Sequence, residues 1–400
     1  MRVIFINRFF HPDHSATSQM LSDLAFALAE RGHKVDVVTS RQIYDAPKEK
    51  LPAQERVGGL AIHRVWTSHF GRQSLIGRTV DYVTFYVSAT ITLWRLARRD
   101  DVLVAKTDPP MLSVMAAPIA RLRGSRLVNW LQDLFPEVAE AAGLGRGRLA
   151  GSFYGALRAI RNRSLHAAAT NVTLGDRMAE RLKANGIKPQ SISIIHNWAD
   201  SALIRPIAHH NNALRSAWRL NDKFIIGYSG NLGRAHEYDT LLDAISHVET
   251  KQRAAEGPNG SGWTPARSLK IMWLIVGGGA LYTALAREVS RRGLTSVLFK
   301  PYQPRDQLAE SLSAVDVHLV SLRPELEGLI VPSKFYGIAA AGRPAIFIGD
   351  GDGEIARLLA KHRCGHAIAQ GDGLCLAHAG LELAANPVLC RQMGERARQA

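Results

Sequence analysis

Short apolar runs alternate with helical segments along this chain, and the alternation starts twice. Near the N-terminus a buried strand at residues 3–6 (VIFI) is followed by helical periodicity at 20–33 and by a second strand at 34–40 (KVDVVTS). The same order begins again with a strand that runs into a glycine turn at 224–230 (FIIGYSG). Because strands joined through helices pair in parallel, the sequence predicts an α/β fold of two doubly wound, Rossmann-like domains.

The length of the chain supports the same division. Its 400 residues exceed what one ordinary hydrophobic core accommodates, so two domains are expected. We expect them to face each other across a cleft, because a cleft brings two substrates together and excludes water. The predicted organisation is a first domain at 1–200, a linker at 201–222, a second domain at 223–385, with an internal Gly/Pro/Ser-rich loop at 254–268, and a C-terminal helix at 386–400.

The composition of the chain indicates the cellular compartment in which we expect the protein. With 46% hydrophobic and 21% charged residues, the chain is typical of a globular protein rather than a disordered one. Its three cysteines match no metal-binding spacing, and so sparse a set suits a reducing environment. The longest apolar stretch, at 82–94 (YVTFYVSATITLW), is shorter than the roughly 18 residues of a membrane-spanning helix, and no signal peptide is evident. We therefore expect a cytoplasmic protein.

A basic segment lies in the first half of a chain whose formal net charge is +15. Between Ala141 and Gly175 there is no acidic residue, and apolar residues recur there at helical spacing. This pattern fits an amphipathic helix on an anionic membrane, and equally a packed surface helix with a solvated basic face. No nucleic-acid-binding motif accompanies it, so nucleic acid is not an expected partner. The arginines of this segment are Arg146, Arg148, Arg158, Arg161 and Arg163.

Six segments, taken in order, resemble the retaining glycosyltransferases of family 4, which have the GT-B fold. Within that family they are most similar to enzymes of bacterial surface polysaccharide synthesis, of the O-antigen and colanic-acid type. The segments are LAFALAERGHKVDVVTS (24–40), NWLQDLFPEVA (129–139), SIIHNWAD (193–200), YSGNLG (228–233), IVGGG (275–279) and VPSKFYGIAAAGRPAIFIG (331–349).

The resemblance implies an activity and its partners. It implies transfer of a hexosyl or N-acetylhexosaminyl group, with retention, from a nucleotide sugar such as a UDP-sugar. The acceptor would be an oligosaccharide or a saccharide linked to polyprenyl diphosphate. No cofactor or metal would be required. The first domain would hold the acceptor and the second the donor. The enzyme would be peripheral on the inner face of the plasma membrane.

Lys334 and Ser333 stand where a loop becomes a helix, after Pro332. A departing diphosphate gains charge as the glycosidic bond breaks, and a cation at a helix start stabilises it. We assign Lys334 this catalytic role and Ser333 a donor-binding one. The alternative is that Ser333 only caps the helix while Lys334 is a solvated charge.

Further donor-binding candidates lie in three glycine-containing or aromatic loops. Gly230 and Asn231 follow a strand, and such turns let the backbone approach a phosphate. The family commonly has an arginine and then a lysine in this loop, where this chain has Asn231 and His236. Arg234 is a candidate to supply the charge, or it faces solvent. The other two candidates, one in IVGGG and one placed by resemblance near the nucleobase, are Gly277 and Tyr302.

Glu327 resembles the first of two glutamates that the family carries eight positions apart. The position matching the second is Gly337, so the pair is incomplete and the spacing is ten. We assign Glu327, in preference to Glu325, to orienting the donor sugar. The alternative is that both are exposed loop acids.

On the acceptor side, Asp133 follows a strand of the first domain in LQDLFPE. An aspartate there can hydrogen-bond or deprotonate the acceptor hydroxyl, or it can cap the turn before Pro136. By resemblance, the backbone at Ser15 and Ala16 would lie against the donor phosphate. Arg146, Arg148, Arg158 and Arg161 would face the acceptor or the membrane.

Several alternatives stay open at this point. The chain fits a nucleotide-sugar epimerase of similar shape, or a protein that binds a nucleotide sugar without turning it over. Asp350 and Asp352 form the only Asp-x-Asp pair, and their glycine-rich surroundings indicate a turn rather than a metal site. In relatives the C-terminal helix commonly continues, so we also expect that the chain is either short or truncated.

Overall fold

The computed structural model describes residues 1–13, 15–44, 46, 49–71, 75–143, 148–256 and 270–400. The chain divides into two compact units. The first comprises Met1–Asn197 together with Gly328–Val331, and the second comprises Trp198–Glu327 together with Pro332–Ala400. Most of the loop predicted at 254–268, and Arg146, lie outside the described residues.

The first unit is built on a sheet with strand order β3-β4-β2-β1-β5-β6-β7-β8 in its described part. Neighbouring strands are parallel except β3, which is antiparallel to β4. The strands are β1 Arg2–Ile6, β2 Lys34–Ser40, β3 Gln54–Val57, β4 Leu60–Val65, β5 Val102–Ala105, β6 Arg126–Trp130, β7 Thr170–Thr173 and β8 Ile192–Ile194. The helices are α1 Ala16–Glu30, α2 Leu75–Leu96, α3 Leu112–Arg123, α4 Glu137–Ala141, α5 Arg148–Ala167 and α6 Asp176–Ala184.

Continuous apolar strands explain why this sheet is buried between helices. Ile4, Ile6 and Leu103 are buried between helices, and they pack with Phe85 and Leu93 of α2. Parallel strands covered on both faces need such unbroken apolar runs. The strand order reverses between β1 and β5, so the carboxyl ends of these two strands border the crevice where doubly wound folds bind ligands.

The second unit repeats the plan with a parallel sheet of order β11-β10-β9-β12-β13-β14. The strands are β9 Lys223–Asn231, β10 Lys270–Gly278, β11 Val297–Lys300, β12 Val317–Ser321, β13 Ala345–Ile348 and β14 Gly365–Ile368. The helices are α7 Ala213–Ala217, α8 Asp239–Glu256, α9 Tyr282–Arg291, α10 Leu308–Ser313, α11 Lys334–Ala340, α12 Glu354–His362, α13 Gly373–Ala385 and α14 Pro387–Gln399. Short 3-10 helices lie at Pro189–Ser191, His209–Asn211, Arg305–Gln307 and Pro324–Leu326. The order reverses between β9 and β12, which places the ligand crevice of this unit there.

The segment predicted as a linker, residues 201–222, belongs to the second unit. Its Arg215 is buried and donates hydrogen bonds to the carbonyls of Ala314 (2.7 Å) and Lys223 (2.5 Å). It also pairs with Asp316 at 3.1 Å. The sequence did not reveal this packing, because Ala314 and Asp316 lie about a hundred residues further along the chain.

The predicted fold class is confirmed, since both units are α/β with parallel-rich sheets. In the described part of the chain, no single helix is long and apolar enough to cross a membrane. Helices α13 and α14, which are bent by 102° at the break between them, are together long and apolar enough for a span by length and composition only.

Candidate active site

Two glycine loops meet at the carboxyl edge of the second sheet. Gly230 is the next-to-last residue of β9 and has a φ of 124°, and Gly277 is the next-to-last residue of β10 and has a φ of 133°. A Cβ atom at Gly277 would lie 2.2 Å from the carbonyl oxygen of Gly230, so only glycine fits there. The Leu232 N–H donates to the Gly278 carbonyl at 2.7 Å and ties the two loops together. The result is a bare backbone surface beside the crevice of this unit.

Lys334 reaches this surface from the start of α11. Its Nζ lies 3.9 Å from the centroid of the Tyr228 ring and donates to the Tyr228 hydroxyl. The same Nζ lies 3.9 Å from the Cβ position of Gly230. No carboxylate pairs with Lys334 among the described residues, and desolvation lowers its pKa to about 7. The site therefore holds a cation without a protein counter-ion next to glycine backbone.

Tyr228 and His236 surround Lys334 with uncharged groups. Burial raises the pKa of Tyr228, so its hydroxyl stays protonated and donates to the Asn231 carbonyl at 2.9 Å. Burial, and then the nearby charge of Lys334, lower the pKa of His236 to about 3. The His236 ring donates from Nδ1 to the Ser321 carbonyl at 2.6 Å. His236 is thus neutral at pH 7 and does not replace the family's lysine as a charge.

Four other predicted donor-site residues lie on the same edge of this unit. Asn231 and Arg234 are exposed beside Gly230, and Ser333 is exposed with no side-chain capping bond to α11. The interpretation of Ser333 as only a helix cap is therefore wrong. Tyr302 is 57% exposed, and its ring lies 3.2 Å from the Cβ position of Gly277. The ring therefore lies close to the glycine backbone, while much of the residue is exposed to solvent.

Glu327 takes a position that neither interpretation of the sequence anticipated. It is only 4% exposed, and its Oε1 accepts a hydrogen bond from the Glu354 N–H at 2.9 Å, at the start of α12. A carboxylate at this end complements the helix dipole. The prediction of an exposed loop acid is wrong for Glu327, whereas Glu325 is exposed and pairs with Arg323 at 3.5 Å.

The Asp-Gly-Asp segment forms a turn, as predicted. The Asp350 carboxylate accepts from the Asp352 N–H at 2.9 Å, and Asp352 pairs with Arg357 at 2.8 Å. Gly353 then precedes the first residue of α12. Among the described residues, no group of three or more His, Cys, Asp or Glu side chains is arranged to hold a metal ion.

Asp133 lies in the first unit beside a cavity of about 20 Å³, which Lys106, Thr107 and Arg161 also line. Its Oδ1 is buried and has no hydrogen-bond partner. Desolvation raises the pKa of Asp133 to about 6, and a hydrogen bond from the Thr107 side chain opposes part of that rise. This carboxylate has an open acceptor atom and does not serve as a cap for the turn before Pro136.

Lys106 is the charged residue of this cavity that sequence reasoning missed. It is 1% exposed, its Nζ lies 3.9 Å from the centroid of the Trp130 ring, and it donates to the Thr17 carbonyl at 2.9 Å. Desolvation lowers its pKa to about 7. The available signal was a lysine directly after the apolar strand β5, at the carboxyl edge where ligands bind.

Two arginines of the acid-free segment, Arg158 and Arg161, pair with acids just upstream, whereas Arg163 is exposed. Arg161 is buried against Glu137 at 2.5 Å, so it faces the Asp133 cavity and cannot contact a membrane. Arg158 pairs with Glu140 at 3.5 Å and lines a pocket of about 400 Å³ in the first unit. Arg148 begins α5, and Arg146 lies outside the described residues.

Ser15 and Ala16 lie at the start of α1, also in the first unit. The Ser15 hydroxyl donates to the Asp13 carboxylate at 2.5 Å, and the Ser15 N–H donates to the same oxygen at 2.8 Å. Asp13 therefore holds the backbone of this loop in place, while the hydroxyl of Ser15 is already engaged.

Comparison with known sequences agrees with the resemblance drawn above. Residues 16–198 match a family model described as "Glycosyl transferase 4-like domain". The chain is 26% identical over 290 residues to the "Probable glycosyltransferase WbjE" of Pseudomonas aeruginosa, covering 72% of this chain and 67% of that one. It is 23% identical over 367 residues to the "Putative colanic acid biosynthesis glycosyl transferase WcaI" of Escherichia coli K12, covering 90% and 86%.

Solved structures show the same fold. Sucrose-phosphate synthase from Thermosynechococcus elongatus superposes with a TM-score of 0.73 at 16% identity, covering 100% of this chain and 93% of that one. Alr3699/HepE of Anabaena, solved in complex with UDP-glucose, gives a TM-score of 0.68 at 14% identity, covering 100% and 94%.

Proposed function

We propose that this chain moves a hexosyl or N-acetylhexosaminyl group from a UDP-sugar. The chain is a glycosyltransferase of the bacterial surface-polysaccharide type, with a glycosyl transferase 4-like domain at residues 16–198. The acceptor is a saccharide carried on polyprenyl diphosphate, and the new linkage keeps the anomeric configuration. The observation that carries the proposal is Lys334, a cation without a carboxylate partner in the described chain, placed over the glycine backbone of the second unit.

The donor side of the proposal rests on charge and backbone geometry. The diphosphate lies against Gly230 and Asn231, where the backbone is bare, and Lys334 stabilises the charge that develops as the sugar departs. The exposed ring of Tyr302 stacks on the nucleobase. The structural likeness to a protein solved with UDP-glucose supports uridine as the base.

Lys334 also gives the site its own positive charge for the leaving group, so we propose that the enzyme needs neither metal nor cofactor. Ser333 and Arg234, both exposed on the same edge of the unit, add donors to the diphosphate. Glu327 orients the sugar indirectly, because its carboxylate holds the start of α12 in place.

On the acceptor side, Asp133 accepts the proton of the attacking hydroxyl or orients it. The bond between the anomeric carbon and the diphosphate oxygen breaks, and a bond from that carbon to the acceptor oxygen forms on the same face. A pKa of about 6 leaves Asp133 ionised at neutral pH yet basic enough to accept a proton. Lys106 and Arg161 line the same cavity as this carboxylate and add positive charge to its walls.

The lipid-linked acceptor places the enzyme at the inner face of the plasma membrane, as a peripheral protein. The likeness to WcaI, named for colanic acid biosynthesis, supports a polysaccharide acceptor. Arg158, in the larger pocket of the first unit, is a candidate contact for the acceptor.

The test is release of nucleotide from a panel of UDP-, GDP- and ADP-sugars, with and without polyprenyl-diphosphate saccharides and with EDTA present. We expect UDP release that requires the acceptor, survives EDTA and drops about a hundredfold or more in Asp133→Asn. The anomer of the product, read by NMR, tests retention. Acceptor-independent release, or full activity in Asp133→Asn, contradicts the proposed mechanism.

A second candidate function is binding of a nucleotide sugar without turnover. Two observations favour it: Gly337 stands where the resemblance places a glutamate, and His236 is neutral where it places a lysine. This protein would bind UDP-sugars but release no UDP with any acceptor, so the same assay separates the two functions.

A further inference from the structure

Helix α2 exposes an apolar stripe along its whole length. Six large apolar side chains, each between 37% and 79% exposed, recur at intervals of three and four residues. That spacing keeps them on one face of the helix. These residues form what we call the α2 stripe: Ile76, Val80, Val83, Val87, Ile91 and Trp94.

The other face of α2 already packs into the core of the first unit. Phe85, Ala89 and Leu93 are fully buried there against β-strands and α3. The helix is therefore apolar on two sides, which folding of the unit alone does not require. An ordered apolar row of this kind on a monomer's surface marks an interaction site.

In the described chain from the start of α2 to residue 101, the exposed charged residues are arginines apart from one acid. The one acid of α2, Asp81, is buried and accepts from the Ser68 hydroxyl and from the N–H groups of Phe70 and Gly71. The exposed acid nearby is Asp100, at the C-terminal end. Around that same end lie the exposed Arg95, Arg98, Arg99, Arg121 and Arg126.

Aromatic residues accompany the stripe. Trp94 lies at its C-terminal end, where the Arg123 guanidinium lies 5.1 Å from its ring centroid. Trp66 and Phe70, both more than 60% exposed, lie in the segment before α2, which hydrogen-bonds to Asp81 and Thr84 of that helix. Tryptophan beside arginine is typical of side chains at the interface between lipid headgroups and acyl chains.

We propose that the α2 stripe is the surface by which this protein lies on a membrane containing anionic lipid. The inference rests on the proposed function and deepens it by naming the docking surface. The apolar row enters the headgroup boundary, while the arginines at its C-terminal end contact lipid phosphates. A second copy of the chain is a poorer occupant, since pairing two stripes would bring like-charged arginine clusters together unless the copies ran antiparallel.

The α2 stripe differs from the surface that the sequence indicated for lipid contact. The basic segment 141–175 was the candidate for lipid contact, but its Arg161 is buried and its Arg158 pairs with Glu140. Among the residues that the structure describes, Arg78 and Arg95 of α2 form no ion pair with an acid. Because α2 leads into the amino end of β5, its N-terminal end lies at the carboxyl edge of the sheet, the edge that holds Asp133. A lipid-linked saccharide would then approach Asp133 from the membrane side.

The test is flotation of the purified protein with vesicles of phosphatidylcholine alone or with about one third phosphatidylglycerol. We expect binding to the anionic vesicles that weakens as salt is raised, because arginine–phosphate attraction is screened. The triple variant Val83→Gln/Val87→Gln/Ile91→Gln should lose about tenfold or more in vesicle affinity. The double variant Arg98→Gln/Arg99→Gln should bind the anionic vesicles more weakly and with a smaller salt dependence, because three arginines of the cluster remain.

The matched control is Ile195→Gln/Leu203→Gln, which changes apolar residues of similar exposure outside α2 and should bind vesicles like the wild type. UDP binding by every variant shows that it is folded, and it separates this proposal from the donor-site proposal. Unchanged flotation of the triple variant overturns the inference, as does loss of flotation only in Phe153→Gln/Ile160→Gln of α5. A wild-type dimer in sedimentation that the triple variant converts to monomer also overturns it.

Discussion

Lys334 is a cation whose pKa lies close to neutrality, and this makes donor binding depend on pH. Its ammonium is desolvated and has no carboxylate partner in the described chain, so the free site loses its charge as the pH rises through about 7. A bound diphosphate favours the charged form and raises the pKa of Lys334.

We therefore predict that the affinity for a UDP-sugar falls as the pH rises from about 7 to 9, by at most about tenfold per pH unit. Titration calorimetry with a UDP-sugar measures this, since the diphosphate of such a donor does not itself titrate in the range. Lys334→Arg should remain charged and flatten the curve. A wild-type affinity that is constant across the range contradicts the assignment.

Asp133 carries a cost in stability that follows from the same physics. Its pKa in the folded protein is about 6, above the unfolded value of about 3.9, so the folded state binds the proton more tightly. Stability is therefore lost as the pH rises between these two values, and the loss persists at neutral pH.

Replacing Asp133 with Asn should raise the free energy of unfolding at pH 7.5 by about 1–3 kcal/mol, while the variant loses transfer activity. The difference should shrink to well under about 1 kcal/mol near pH 4, where the aspartate is almost fully protonated in the folded state and about half protonated in the unfolded state. Urea unfolding at the two pH values measures it. An equal effect at both pH values would show that removal of the charge is not the cause.

At the scale of elements, two glycines of the second unit have opposite effects on stability. Gly277 has a left-handed φ and its Cβ position lies 2.2 Å from the Gly230 carbonyl, whereas Gly337 in α11 has no neighbour within 3.4 Å of its Cβ position. We predict that Gly277→Ala costs at least about 1–3 kcal/mol and disrupts UDP binding. Gly337→Ala should stabilise by about 0.5–1 kcal/mol, because alanine reduces the entropy of the unfolded chain. Thermal unfolding of the pair distinguishes the two roles, and equal shifts would contradict this account.

The elements themselves were largely predictable from sequence, because buried parallel strands are unbroken apolar runs. FIIGYSG and KVDVVTS both became strands at the predicted places, and the helix start at Lys334 is where the Pro-Ser-Lys pattern predicted it. The environments of Glu327 and Lys106 were not predictable in the same way. Each depends on contacts with residues far along the chain, the Glu354 N–H in one case and the Thr17 carbonyl in the other.

At the scale of the whole molecule, the sequence predicted two α/β units but not where the segment 201–222 would pack. Arg215 anchors that segment to the second unit through backbone carbonyls and Asp316. Arg215→Ala should destabilise by about 3–5 kcal/mol, because Asp316 loses its buried partner. The exposed Arg219→Ala is a control for loss of charge alone. If both variants unfold at the same urea concentration as the wild type, Arg215 does not anchor the segment.

The measurement that tests the central claim most directly is titration calorimetry of UDP, GDP and ADP into the wild type, Lys334→Ala and Lys361→Ala in the presence of EDTA. Lys361 is an exposed lysine of α12 in the same unit and controls for net charge. The account predicts selective UDP binding that EDTA leaves intact, that Lys334→Ala weakens about tenfold or more, and that Lys361→Ala leaves unchanged. Equal binding by all three proteins, or no nucleotide binding by the wild type, would contradict the donor site built around Lys334.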